Sequence, residues 1–130
     1  MMKKNKPKKD YSIFDPSTLK NAFLYSVSGF KFMMQERAFK QELLLSPIAI
    51  ILTIAFGTIA LSPYLLMLFA ECVNTCIETI VDRISSEYHD LSKKAKDIGS
   101  FAVMITQINL ACVWTFQIWL FIKFWHRYLF

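Results

Sequence analysis

Residues 43–61 read LLLSPIAIILTIAFGTIAL, and no charged residue occurs from Leu43 to Ala70. A helix crossing the ~30 Å hydrocarbon core of a bilayer needs about 20 mostly apolar residues. This stretch therefore reads as a first membrane span. Beyond it, Ser62–Pro63 suits a tight turn, and YLLMLFAECVNTCIETIVDRI at 64–84 reads as a second helix, apolar at first and acidic later. Charge is absent again from Ile98 to Ile122, which predicts a third span over about 98–121. Trp114, Trp119 and Trp125 suit in part an interfacial aromatic belt around it. Upstream, Phe23, Leu24, Val27, Phe30, Met34 and Ala38 recur at helical spacing among Lys20, Lys31, Gln35 and Arg37. That pattern predicts an amphipathic helix lying on the membrane over about 17–42. The expected fold is an all-α membrane protein: this surface helix, then spans at about 43–61, 64–84 and 98–121, with a turn at about 85–92 before the last.

Composition agrees. The 130 residues suffice for one domain, here 17–130, after a tail at 1–16. Hydrophobic residues make up 55% and charged ones 19%, against roughly 45–50% and about 25% in soluble domains. The mean hydropathy is +0.36. A disordered chain, a coiled coil and an ordinary soluble enzyme are thereby disfavoured. Cys72, Cys76 and Cys112 are an odd number and too few for a disulfide scaffold, so they read as reduced thiols. With only three glycines, at 29, 57 and 99, no Walker-type phosphate loop exists. His89 and His126 are the only histidines, which argues against a histidine metal site.

The net charge of +5 is concentrated at one end, with Lys3, Lys4, Lys6, Lys8 and Lys9 inside the first ten positions. We read a disordered basic tail there. No basic helix or aromatic platform follows it, so nucleic acid is not an expected partner. Contact with anionic lipid headgroups is, since each nearby basic residue contributes about 1 kcal/mol. The first apolar run starts only at residue 43 and no small-residue cleavage site follows it, so no cleaved signal peptide is expected. By the positive-inside rule, the tail and the segment carrying Arg83, Lys93, Lys94 and Lys96 face the cytoplasm. Three spans then put the C-terminus outside, although Lys123 and Arg127 mildly oppose this.

The second helix carries the chemistry. Glu71, Asn74, Glu78 and Asp82 are spaced three, four and four residues apart, which on a helix sets them within an arc of roughly 80°. Val73, Ile77, Ile80, Val81 and Ile84 form its apolar side. A carboxylate in a membrane helix costs about 2.5–3.5 kcal/mol on insertion scales. Asp82 can simply reach water where the helix emerges, but Glu71 needs a partner or a polar cavity. Converging carboxylates with an amide between them suit a hard divalent cation such as Mg²⁺ with phosphate oxygens, or a proton-accepting role. Glu87, Tyr88 and His89 offer polar contacts in the following turn, and Lys93, Lys94 and Lys96 offer positive charge beside Asp97.

Residues 71–103, ECVNTCIETIVDRISSEYHDLSKKAKDIGSFAV, and the upstream block ERAFKQE at 36–42 closely resemble the prokaryotic diacylglycerol kinase family. The resemblance extends over most of 17–122. It implies a homotrimer with composite active sites at the cytoplasmic membrane face, acting in the bacterial inner membrane with a periplasmic C-terminus. It implies transfer of the ATP γ-phosphate to the primary hydroxyl of diacylglycerol, giving phosphatidic acid. By motif position, Glu71 resembles the catalytic base, and Glu36 and Glu78 the ligands of the nucleotide-bound Mg²⁺. Asn74, Asp82, Lys96 and Asp97 resemble the polar wall around ATP; Glu87, Tyr88 and His89 its nucleotide-contacting turn; Tyr25 a further nucleotide contact. Glu42 resembles an acid near the lipid hydroxyl, with Ala38, Phe39, Lys40, Gln41, Ser100 and Trp114 as lipid contacts beside it.

The N-terminal third departs from the family. Between Gly29 and Glu36 the chain is one residue short, and Thr18 stands, with Lys20 nearby, where an arginine is expected. The segment SSEYHDLSKKAKDIGS resembles the Gram-negative diacylglycerol branch; the alternative is the family's undecaprenol branch. A remoter alternative is a proton- or cation-conducting oligomer lined by Glu71 and Glu78. The acids gather towards one membrane face, however, and the third span carries no matching charge, only the amides Gln107, Asn109 and Gln117.

Overall fold

The computed structural model describes residues 16–129. Residues 1–15 and Phe130 lie outside the described residues, and with them all but the last residue of the basic tail expected over 1–16. The described elements are all helical: α1 (Pro16–Met33), α2 (Arg37–Leu43), α3 (Ser46–Phe56), α4 (Thr58–Ile84) and α5 (Asp90–Leu129). The chain divides into two compact units, one ending at Gln35 and the other beginning at Glu36.

The first unit contains α1. Proline at its first helical position has no N–H to lose there. The helix unwinds through bonds from the Met34 N–H to the Phe30 carbonyl and from the Gln35 N–H to the Phe32 carbonyl, both 2.9 Å. Glu36 is extended, at φ −73° and ψ 133°, and caps α2. The single surface helix expected over 17–42 is therefore two helices. Met34 and Ala38, expected on one stripe with Phe23, fall beyond the end of α1. No glycine or proline stands between Phe30 and Leu45, so this break is not written as a breaker residue. In the second unit α2 packs against α4, and that tertiary contact sets where α2 begins.

The second unit is built on α4, against which α2, α3 and α5 all pack. The first span also differs from expectation. At 11 residues, α3 alone is about 17 Å long and too short to cross a bilayer. Arg37–Phe56, which joins α2 and α3, is long and apolar enough, as are Thr58–Ile84 and Asp90–Arg127. The turn expected at Ser62–Pro63 lies instead at Gly57. There φ is 77°, a conformation cheap only for glycine, and the Gly57 N–H closes α3 on the Thr53 carbonyl at 2.8 Å. Pro63 sits early inside α4, where its ring removes one backbone hydrogen bond without ending the helix. The Ser62 hydroxyl donates to the Thr58 carbonyl at 3.0 Å.

The core is small, as expected where lipid rather than water surrounds much of the surface. Ala49, Tyr64, Met67 and Leu110 are buried together, with Leu45, Leu61, Leu68 and Trp114 against them. The Tyr64 and Trp114 rings stack at 6.4 Å, and the Trp114 indole N–H donates to the Ala60 carbonyl at 2.9 Å. That bond ties α5 to the first turn of α4.

Helix α5 starts at Asp90 rather than near 98, so the connection expected over 85–92 spans only 85–89. His89 explains the early start: its Nδ1 accepts the Leu91 N–H at 3.1 Å, a cap that the sequence did not advertise. The 40-residue helix is about 60 Å long, longer than a bilayer core, so its polar first turns project beyond the uncharged run.

The position of the first hairpin is testable by substitution. At Gly57 an added Cβ would meet nothing within 4 Å, so Gly57→Ala introduces backbone strain alone, about 1–2 kcal/mol. Ser62→Ala should change stability by no more than about 0.5 kcal/mol. Unfolding of both variants in mixed micelles checks this; equal losses would put the turn back at Ser62–Pro63.

Candidate active site

The polar stripe of α4 runs from interior to solvent. Glu71 and Asn74 are 6% and 8% exposed, Glu78 is intermediate and Asp82 exposed. Glu71 is thus the most enclosed of the stripe's three acids. Its carboxylate interacts electrostatically with those of Glu78 and Glu36, and with that of Glu42. The two ends of α2 explain this gathering. Glu36 caps the start of that short helix and Glu42 lies in its last turn, so the two ends of α2 each bring a carboxylate within the electrostatic reach of Glu71.

Asn74 locks the centre of the stripe. Its Nδ2 donates to Glu78 Oε1 at 3.0 Å, one turn along the helix. Its Oδ1 is buried without a hydrogen-bond partner. Helix α5 passes so close here that a Cβ on Gly99 would fall 2.2 Å from Asn74 Oδ1 and 3.3 Å from Asn74 Cγ. Glycine at 99 is what allows the Asn74 amide to occupy this space.

Two recesses lie towards the two ends of the stripe: Asp82 lines one, no stripe residue lines the other, and Glu71 lines neither. The first, of about 450 Å³, is polar and lies where α4 turns into α5. Asp82, Glu87, Tyr88, His89, Lys96 and Asp97 line it, together with the serines of the turn. All six were expected on the nucleotide side. The Lys96 ammonium meets the Asp82 carboxylate at 2.5 Å across the two helices. Asp97 pairs instead with Lys93, one turn back on α5. Exposed pairs of this kind contribute little stability; their consequence is to fix where the charges stand.

The second recess is a largely apolar cleft of about 600 Å³ formed by α2, α3, α4 and α5. Among the expected lipid contacts, Ala38, Gln41, Glu42 and Trp114 line it. Phe39 does not; it is buried at 5% exposure. Lys40 and Ser100 do not line it either and are exposed. Tyr25 lies on α1 in the first unit, 74% exposed, and Thr18 and Lys20 are exposed on the same helix. Gln107 lines the cleft and donates from Nε2 to Glu42 Oε1 at 3.2 Å. Sequence reading counted Gln107 only as an uncharged polar residue. The available signal is an amide within a long uncharged run, a feature it shares with Asn109 and Gln117.

The donor set bears on the expected Mg²⁺. Among the described residues, no three His, Cys, Asp or Glu side chains converge as a metal site. Mg²⁺ bound with a nucleotide requires less: one or two carboxylates, with phosphate oxygens and waters completing its octahedron. Glu36 and Glu78 are hard oxygen donors of the kind such a shared site uses, whereas the Asn74 Oδ1 is closed off against α5 at Gly99.

Residues 24–118 match the family model described as prokaryotic diacylglycerol kinase. The chain is 36% identical over 96 residues to the diacylglycerol kinase of Escherichia coli, covering 66% of this chain and 75% of that protein. It is 39% identical over 101 residues to the diacylglycerol kinase of Haemophilus influenzae, covering 72% of this chain and 86% of that protein. With the diacylglycerol kinase of Pseudomonas aeruginosa it shares 41% over 101 residues, 72% of this chain and 82% of that protein.

The close approach at Gly99 predicts a large effect from one methyl group. Gly99→Ala should drive Asn74 off Glu78 and cost about 1–3 kcal/mol through overpacking. Gly99→Ala combined with Asn74→Ser should regain part of that loss, because the shorter side chain vacates the contested space. Denaturation of the single and double variants tests this; an undiminished single variant would mean that α5 does not pack this closely.

Proposed function

Because the chain belongs to the prokaryotic diacylglycerol kinase family, an ATP-dependent lipid kinase by that membership, we propose that it phosphorylates the primary hydroxyl of diacylglycerol. The product is phosphatidic acid. The observation that carries this reading is a pair of unlike recesses towards the two ends of the stripe. A polar recess holding Lys96 and Asp82 suits the nucleotide; an apolar cleft holding Glu42 suits a lipid; the buried Glu71 interacts with acids belonging to both ends.

Phosphoryl transfer depends on positioning and charge neutralisation more than on covalent chemistry by the protein. The lipid lies with its acyl chains against the apolar cleft wall and its hydroxyl towards Glu42 and Glu71. Glu71 takes the hydroxyl proton as the oxygen attacks the γ-phosphorus in line. The new bond joins the lipid oxygen to phosphorus, the bond from phosphorus to the β–γ bridging oxygen breaks, and ADP leaves. Lys96 faces the negative charge of the phosphates. Glu36 and Glu78 would hold Mg²⁺, which offsets phosphate charge when bound, and Asn74 keeps the Glu78 carboxylate oriented. Glu87, Tyr88 and His89 contact the nucleotide from the turn. General-base help of this kind is worth about 10²–10⁴-fold.

The protein resides in the bacterial inner membrane, with the N-terminus and active site cytoplasmic and the C-terminus periplasmic. It acts as a homotrimer with composite sites. A single chain leaves Glu36 and Asp82 exposed, and acids at a membrane face gain from partners on neighbouring helices.

The first test supplies purified protein with Mg-ATP and either diacylglycerol or undecaprenol, and identifies the phosphorylated lipid. Phosphatidic acid is expected; undecaprenyl phosphate alone would move the chain to the other branch of the family. In the same assay Glu71→Gln should lose most lipid phosphorylation, on the order of 10²-fold or more, with nucleotide binding nearly normal. Near wild-type turnover would remove Glu71 as the base, and lost nucleotide binding would exchange its role with that of Glu78.

A metal titration separates the two assigned ligands from the base. Glu78→Gln and Glu36→Gln keep side-chain shape but remove charge, so each should raise the Mg²⁺ concentration needed for half-maximal rate. An unchanged Mg²⁺ dependence in either variant would exclude that residue as a ligand.

A further inference from the structure

Gln107 lies within the uncharged run of α5, from Ile98 to Ile122, yet it is exposed rather than packed away. An amide facing hydrocarbon without partners is costly, and polar groups at such depth commonly serve a cavity or a ligand. Here the amide borders the apolar cleft. One of its N–H groups is used on Glu42 Oε1 at 3.2 Å. Glu42 is 7% exposed, and its other oxygen, Oε2, is buried without a partner. The hydrogen bond therefore ties down half of a buried carboxylate and leaves the other half able to accept a bond from a ligand hydroxyl. A primary amide has a second N–H and a carbonyl oxygen beyond that bond.

The rest of the cleft offers few competing donors. Leu45, Ile48, Met67 and Leu110 are apolar, the Trp114 N–H is already committed to the Ala60 carbonyl, and the one other lining amide, Gln41 on α2, is not the one bonded to Glu42. We propose that Gln107 is a specificity-determining residue of the lipid cleft: it holds Glu42 through one N–H and gives the other to an ester carbonyl near the lipid hydroxyl. This rests on the lipid-kinase reading above and extends it. An acylglycerol carries an ester carbonyl a few bonds from its hydroxyl and can satisfy both groups. An alcohol without esters satisfies Glu42 alone and strands the amide, and sites built around a hydrogen bond discriminate strongly against ligands that lack its partner.

The test compares dioctanoylglycerol with its ether analogue dioctylglycerol, which has the same hydroxyl and chain length but no carbonyl. The full chain in mixed micelles is assayed for kcat/KM on each lipid. Gln107→Leu releases Glu42 and slows both reactions by a shared factor, so the ratio between the lipids is the readout. The wild type should prefer the diester, and Gln107→Leu should shrink that preference about tenfold, with the KM for ATP unchanged. Gln107→Asn, an amide on a shorter stem, should fall between the two. If Gln107→Leu does not fold, Gln107→Met preserves length without hydrogen bonding and is read in the same way. A ratio unmoved by removing the amide overturns the assignment, as does a wild type indifferent to the esters. A wild type that phosphorylates neither lipid overturns the kinase reading itself, and this inference with it.

Discussion

Asn74 is buried on α4 between two acids, with one end of its amide bonded to Glu78 and the other pressed against the backbone of α5 at Gly99. A polar side chain can occupy that position only if the neighbouring helix brings no side chain of its own. The α4–α5 contact, the orientation of Glu78 and the enclosure of Glu71 all follow from that fit. Further along, the same helix pair is joined by Lys96 and Asp82, and near the other end by Trp114 and the Ala60 carbonyl. These three contacts hold one register between two long helices whose hydrophobic surfaces alone would permit several.

The short helix α2 has an outsized chemical effect. Its seven residues could not form a stable helix in isolation. Packed against α4, it brings Glu36 from its cap and Glu42 from its last turn to the charge field of Glu71. An acidic group of this density is unfavourable for the apoprotein, since like charges repel at close range.

The apolar cleft shows how a small membrane protein can manage selectivity. Its walls supply little discrimination, because acyl chains resemble any other hydrocarbon. Discrimination must come from a few polar atoms held at fixed positions in apolar surroundings. In the proposed lipid site Glu42 and Gln107 would supply them; they share a hydrogen bond and stand 65 residues apart in the chain.

The sequence by itself determined the all-helical class, the three apolar segments and the acidic stripe. Each depends on local periodicity or on runs of one residue type, which a linear reading detects. The motif through Glu71, Asn74, Glu78 and Asp82 was legible for the same reason, as was the gathering of Glu87, Tyr88, His89, Lys96 and Asp97 within one short stretch. Tertiary structure decided what had no local signal. The break before Glu36 follows from the packing of α2 on α4 and not from a breaker residue. The first hairpin lies at Gly57 because only that backbone reverses at positive φ, whereas Pro63 is absorbed into a helix that α3 and α5 already support. The partnership of Gln107 with Glu42 joins residues with no sequence relation, and it exists only because α2 and α5 meet across one cleft.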